Sequence, residues 1–199
     1  VEEAPVDDGW TVWMRLRDQG VALRERVVHI ADGRGPVLAG VLCERERERE
    51  REREPAADDG ARPGRHAIVL LSDGQRRVGP HRLWVPWARR RAARGDLVLR
   101  LDTAGIGDSE PAVPGRAVRC GDVARAVAWL RQQADVAACS VVSIGAGAQN
   151  AWDALADEAD VQRVVAIDPP LPHPGGRARL AACLGAWVAA HLLRRPFAA

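Results

Sequence analysis

Ser140-Val141-Val142-Ser143-Ile144-Gly145-Ala146-Gly147-Ala148-Gln149-Asn150 reads as an apolar strand, a glycine turn and the opening of a helix. The run from Ser140 to Ile144 is short and rich in β-branched residues, which suits a strand covered on both faces. Gly145 and Gly147 allow the backbone the conformations that a tight reversal needs. From Ala148 to Ala159, the residues Ala151, Trp152 and Leu155 then repeat at helical spacing on one narrow face.

Outward from this unit the same alternation recurs. An apolar run from Ala67 to Leu71 leads into a helical stretch ending near Gly95. Leu97 to Leu101 follows as the next strand, and Val164 to Ile167 as the last. Between them, Val123, Ala126, Val127 and Leu130 lie at i, i+3, i+4 and i+7, which predicts a helix over Asp122 to Arg131, with Asp122 placed at its start. Strands alternating with helices imply parallel βαβ units, hence an α/β fold with a mostly parallel sheet and flanking helices. Pro86 conflicts with a helix begun at Gly79-Pro80, since an interior proline costs roughly 3 kcal/mol, so the expected start is Pro86 itself.

The amino-terminal side is less regular. Val27 to Ile30 and Pro36 to Cys43, joined by Asp32-Gly33-Arg34-Gly35, read as an opening hairpin. Residues 1–26 are expected to form an N-terminal extension, and 27–199 one domain. A charged low-complexity insertion at 44–64 holds the Glu-Arg alternation of Glu44 to Glu54; the alternation is expected to be a solvated loop. Leu180, Cys183, Leu184, Trp187, Val188 and Leu192 line one face of a last helix, on which His191 also falls.

Composition narrows the function classes. The 199 residues suit a single core. With 29 basic against 27 acidic side chains, no strong field favours nucleic acid or an anionic membrane. All the basic residues are arginine, and no tyrosine occurs. Cys43, Cys120, Cys139 and Cys183 form no C-x-x-C pair and no zinc-like spacing with histidine, so no metal is expected, and nothing in the sequence calls for another cofactor. No apolar run reaches the length of a membrane span, and no basic signal start is present, so a cytoplasmic location is expected.

Three glycine turns each follow an expected strand, and they carry a family resemblance. Leu71 to Arg82 resembles the loop after the third strand of α/β-hydrolases. Asp102-Thr103-Ala104-Gly105-Ile106-Gly107-Asp108-Ser109 is similar to the D-x-x-G-x-G-x-S turn after their fourth strand. With Arg94 to Arg100 before it, this looks like the serine-aminopeptidase-like and exosortase-associated members, over about Arg65 to Pro170. A dinucleotide-binding reading is the weaker one, since the third glycine of G-x-G-x-x-G is replaced by Asn150 and the segment lies far from the first strand.

The resemblance implies esterase, acyl-hydrolase or peptidase-like ancestry and a small acyl or ester-like ligand. It implies oxyanion or ligand contacts from Gly74, Gln75 and Ala146. It also places Ser143-Ile144-Gly145-Ala146-Gly147 on the nucleophile elbow G-x-S-x-G. There Gly145 occupies the nucleophile position and offers no side chain for attack. The expected state is therefore a degenerate homologue. The alternatives are a hydrolase using Ser143 with Asp168 and His173, or completed by a partner chain, and a non-enzymatic binding or scaffold module using the Glu-Arg strip. His29, His66 and His81 show no catalytic partner in the sequence. The closing strands that would carry the remaining triad groups are expected to be missing, and unpaired sheet edges invite homo-oligomers.

Overall fold

The computed structural model describes residues 13–18, 20–46, 64–72, 76–111, 121–133, 135–156 and 160–169. Among the described residues, seven strands form one sheet in the order β1-β2-β3-β5-β4-β6-β7. They are β1 (Trp13–Asp18), β2 (Val21–Ile30), β3 (Leu38–Arg45), β4 (Arg65–Leu71), β5 (Leu97–Leu101), β6 (Val136–Ile144) and β7 (Arg163–Ile167). β1, β2 and β3 form an antiparallel meander, and β3 runs antiparallel to β5. β5, β4, β6 and β7 are parallel. The mostly parallel α/β sheet expected from the alternating pattern is therefore present.

The helices α1 (Trp84–Ala93), α2 (Asp122–Gln133) and α3 (Gly147–Ala156) cover the sheet from both sides. Side chains alternate across a strand, and the core divides accordingly. Val69, Leu71, Leu99, Leu101 and Val141 pack with Val123, Ala126, Val127 and Leu130 of α2 and Ala151 of α3. Ile68, Leu70, Val98 and Val142 pack on the other face with Trp84, Ala88 and Ala92 of α1. All five residues of β5 are buried, as a strand covered on both faces requires. The α1 face also holds a buried ionic cluster. Glu25 of β2 accepts from Arg100 of β5 at 3.2 Å and from Arg89 of α1 at 3.1 and 3.0 Å, tying three elements together.

Three boundaries differ from the sequence reading. The sheet begins before Val27, because β1 and the first half of β2 extend the hairpin within residues read as an extension. β3 continues through Glu44 and Arg45, the first residues of the charged alternation. There Glu44 meets Arg65 at the start of β4 at 3.1 Å, which closes the base of the insertion; residues 47–63 lie outside the described residues. α1 begins at Trp84 rather than Pro86, after a 3-10 turn at Pro80–Arg82 with positive φ at His81 and Arg82. Pro86 then falls in the first helical turn, where the amide it lacks would have no helical partner. The helix read over Leu180 to Leu193 lies outside the described residues.

Candidate functional site at the carboxyl ends of the central strands

β4 pairs with β5 on one side and β6 on the other. The chain passes from β4 to β5 through α1, then returns past β4 to β6 through α2. Open α/β sheets place a ligand crevice beyond the strand ends at such a reversal. Here that point lies between the ends of β4 and β6, at Ser72 and Gly145.

The turn from β6 into α3 is Gly145-Ala146-Gly147. Gly145 has φ 59°, a conformation that disfavours any residue with a Cβ by roughly 1–3 kcal/mol. Its amide donates to Ile167 O at 3.0 Å, and its carbonyl accepts from Ala148 N at 3.1 Å. Gly147 faces the end of β4 so closely that a Cβ there would sit 3.2 Å from Ser72 O. Both glycines thus answer to local geometry, Gly145 to backbone twist and Gly147 to close approach.

Ser143 is fully buried. Its hydroxyl donates at 3.4 Å to Val165 O of the neighbouring strand. Alternation along β6 turns it to the same face as Cys139 and Val141, which is covered by α2 and α3, so an acyl carbon has no approach to it. Asp168 is exposed, with φ 47°, and directly follows the Ile167 carbonyl that holds Gly145. The structure therefore sets Asp168 beside the turn, with the Ser143 hydroxyl directed elsewhere. Ala146 is half-buried between the two glycines. Gly74, Gln75 and His173 lie outside the described residues.

The turn after β5 carries an ionic network anchored on Asp102, a fully buried residue. Its carboxylate accepts from the Arg77 amide, the Arg77 guanidinium and the Asp108 amide. Arg77 also meets Asp108 at 2.6 Å. Burial works against the Arg77 charge, but the hydrogen bond to Asp108 and the charge on Asp102 outweigh it and raise its pKa. The same hydrogen bond lowers that of Asp108. The loop after β4 is thereby locked to the turn after β5. Gly107, at φ 58°, lies directly against the Asp102 carboxylate. Ser109 donates to Asp102 O and accepts from Ala39 N, both at 2.7 Å, so its hydroxyl is committed to structure. Trp84 Nε1 donates to Ser72 Oγ at 2.7 Å and to Leu71 O at 3.1 Å, which fixes the end of β4.

Sequence reading missed the Arg77–Asp102–Asp108 network, whose signal was only an acidic residue at each end of the second turn and a basic one in the first. It also left His66 without a partner. His66 Nε2 stands 2.8 Å from Ser140 Oγ, and Nδ1 stands 3.4 Å from Asp96 Oδ1. Among the described residues no cluster of three or more His, Cys, Asp and Glu could hold a metal, and no helix is long and apolar enough to cross a membrane.

Solved structures of hydrolases share this architecture. The α/β hydrolase GrgF from Penicillium sp. sh18 aligns with a TM-score of 0.53 at 19% identity, over 85% of this chain and 55% of that one. The esterase Pf2001 of Pyrococcus furiosus aligns with a TM-score of 0.56 at 20% identity, over 84% and 59% of the two chains. DcsB, solved in complex with its substrate analogue, gives 0.55 at 18% identity, over 86% and 56%. The chain thus spans less than two thirds of the length of these proteins. No family model and no curated protein matches it.

Proposed function

From a chain with the α/β-hydrolase fold, we propose a degenerate member of that superfamily, of esterase, acyl-hydrolase or peptidase-like ancestry, whose elbow has lost triad hydrolysis. In this reading the crevice at the ends of β4 and β6 still takes a small acyl or ester-like ligand and does not cleave it. The observation that carries the reading is Gly145: the strand, the turn and the helix of an elbow are kept, and the side chain that would attack is gone. Removing the nucleophile of a serine hydrolase costs on the order of a millionfold in turnover. The alternative nucleophile, Ser143, is buried and bonded to Val165 O.

The test combines a stable ester mimic with a covalent probe. A phosphonate diester is expected to raise the melting temperature of the protein. A fluorophosphonate, with the adduct localised by fragment-ion mass spectrometry, is expected to leave Ser143 unmodified. An adduct on Ser143 overturns the reading, and so does a melting temperature indifferent to the ester mimic.

A further inference from the structure

Among the described residues, the large apolar side chains left exposed are Leu83, Val165 and Ile167, at 43%, 41% and 43%. Leu83 is a single such residue in the turn before α1, which is ordinary for a surface. Val165 and Ile167 belong to a strip. They are the register partners of Val142 and Ile144, and Val142 packs with Trp84 and Ala88 of α1. All four side chains therefore lie on the α1 face of the sheet. The helices α2 and α3 pack on the opposite face, where Val164 joins their core.

Parallel strands are normally covered on both faces. On this face α1 is centred on β2, β3 and β5. From β5 to β7 the sheet runs three strand spacings, about 14 Å. Helices pack side by side at about 8–10 Å, so β6 and β7 leave room for one more helix beside α1. Residues 180–193, outside the described residues, have the composition to fill it. They include no Asp, Glu, Lys or Arg, and Leu180, Cys183, Leu184, Trp187, Val188 and Leu192 repeat at helical spacing. The 11 residues between Asp168 and Leu180 reach about 36 Å when extended. The five residues of β7 span about 17 Å, so the connection is long enough to return the segment to this face. Tethering favours it over a second copy of the chain, because a short linker supplies an effective concentration in the millimolar range.

We propose that residues 180–193 dock as a helix across β6 and β7 on the α1 face, with Cys183, Leu184, Trp187 and Val188 turned toward Val142, Ile144, Val165 and Ile167. The docked segment also backs the elbow. Ile144 and Ile167 directly precede Gly145 and Asp168, and the Ile167 carbonyl accepts from the Gly145 amide.

Hydroxyl-radical footprinting of the full wild-type chain tests the cover without any variant, with the equally exposed Leu83 as internal standard. Corrected for intrinsic reactivity, Val165 and Ile167 are expected to oxidise about tenfold more slowly than Leu83, as for a face open in about a tenth of the molecules. The protection is expected to survive dilution. Oxidation at the rate of Leu83 overturns the proposal, and so does protection lost on dilution, which assigns the face to a second copy. The occupant is identified with Val165→Cys in the full chain and a short bis-maleimide, the products located by fragment ions. The introduced thiol is expected to join Cys183 of the same chain; joining only between chains, or to no cysteine of the segment, overturns the proposal. Trp187→Asp is expected to raise oxidation of Val165 and Ile167 to that of Leu83, and unchanged protection in this variant overturns it as well.

Discussion

The amide of Gly145 donates to the carbonyl of Ile167 at 3.0 Å, joining the turn after β6 to the end of β7. This bond ties down the turn, where Gly145 has φ 59°, and sets Asp168 beside it. Gly145→Ser is expected to lower the unfolding free energy by about 1–2 kcal/mol, the Cβ penalty at positive φ. It is not expected to create activity, since a hydroxyl alone does not rebuild a triad. Urea denaturation and nitrophenyl ester turnover measure the two effects, and a variant as stable as the wild type that turns the ester over faster than it does would contradict both.

Gly107 faces a harder constraint. A Cβ at this position would overlap the Asp102 carboxylate, and φ is 58°. Gly107→Ala is expected to destabilise by more than about 2 kcal/mol, because it combines backbone strain with disruption of a buried ionic network. Gly33, also at positive φ but with nothing within 4 Å of a Cβ, is the control. Its alanine variant is expected to lose only the strain, and equal losses in urea denaturation would contradict the role given to Asp102.

Arg125 Nε donates to both carboxylate oxygens of Asp32 at 2.9 Å, which holds the Asp32 pKa below its ordinary 3.8. A carboxylate with a lower pKa folded than unfolded contributes stability that is complete above the unfolded value. That contribution is lost as the pH falls through the folded value. Stability should therefore decline below about pH 4, and Asp32→Asn should flatten part of the decline. The pair is partly exposed, so the effect is under about 1 kcal/mol. Unfolding free energies measured from pH 6 to 2.5 check the sign.

Burial pushes the thiols of Cys43 and Cys139 up to about 12. Both are free and fully buried. Only the thiolate reacts, so iodoacetamide at pH 8 is expected to leave these residues unmodified until denaturant is added. Peptide mapping follows each site, and rapid native labelling at either would contradict the packing of β3 or β6.

The βα framework was legible because its signals are local. Val123, Ala126, Val127 and Leu130 fall on one helical face and are buried together. Gly105, Gly107 and Gly145 stand where positive φ is needed. What stayed hidden depends on partners far apart in sequence. His66 and Ser140 are separated by 74 positions, and nothing in either neighbourhood foretells their pairing. The Glu25–Arg100 contact spans 75 positions within a chain where arginine is everywhere. β1 was missed because Trp13 to Asp18 alternates with charge and stands in an edge strand, where polar residues are usual.

The central claim, that the elbow performs no triad hydrolysis, is tested most directly by turnover of a nitrophenyl ester. The wild type is compared with the double variant Ser143→Ala, Asp168→Asn, which removes both described groups that could act there. Equal rates, within twofold, are predicted whatever the wild-type rate proves to be. A loss of about 100-fold or more, the scale of a lost nucleophile or base, would show that the elbow is catalytic after all.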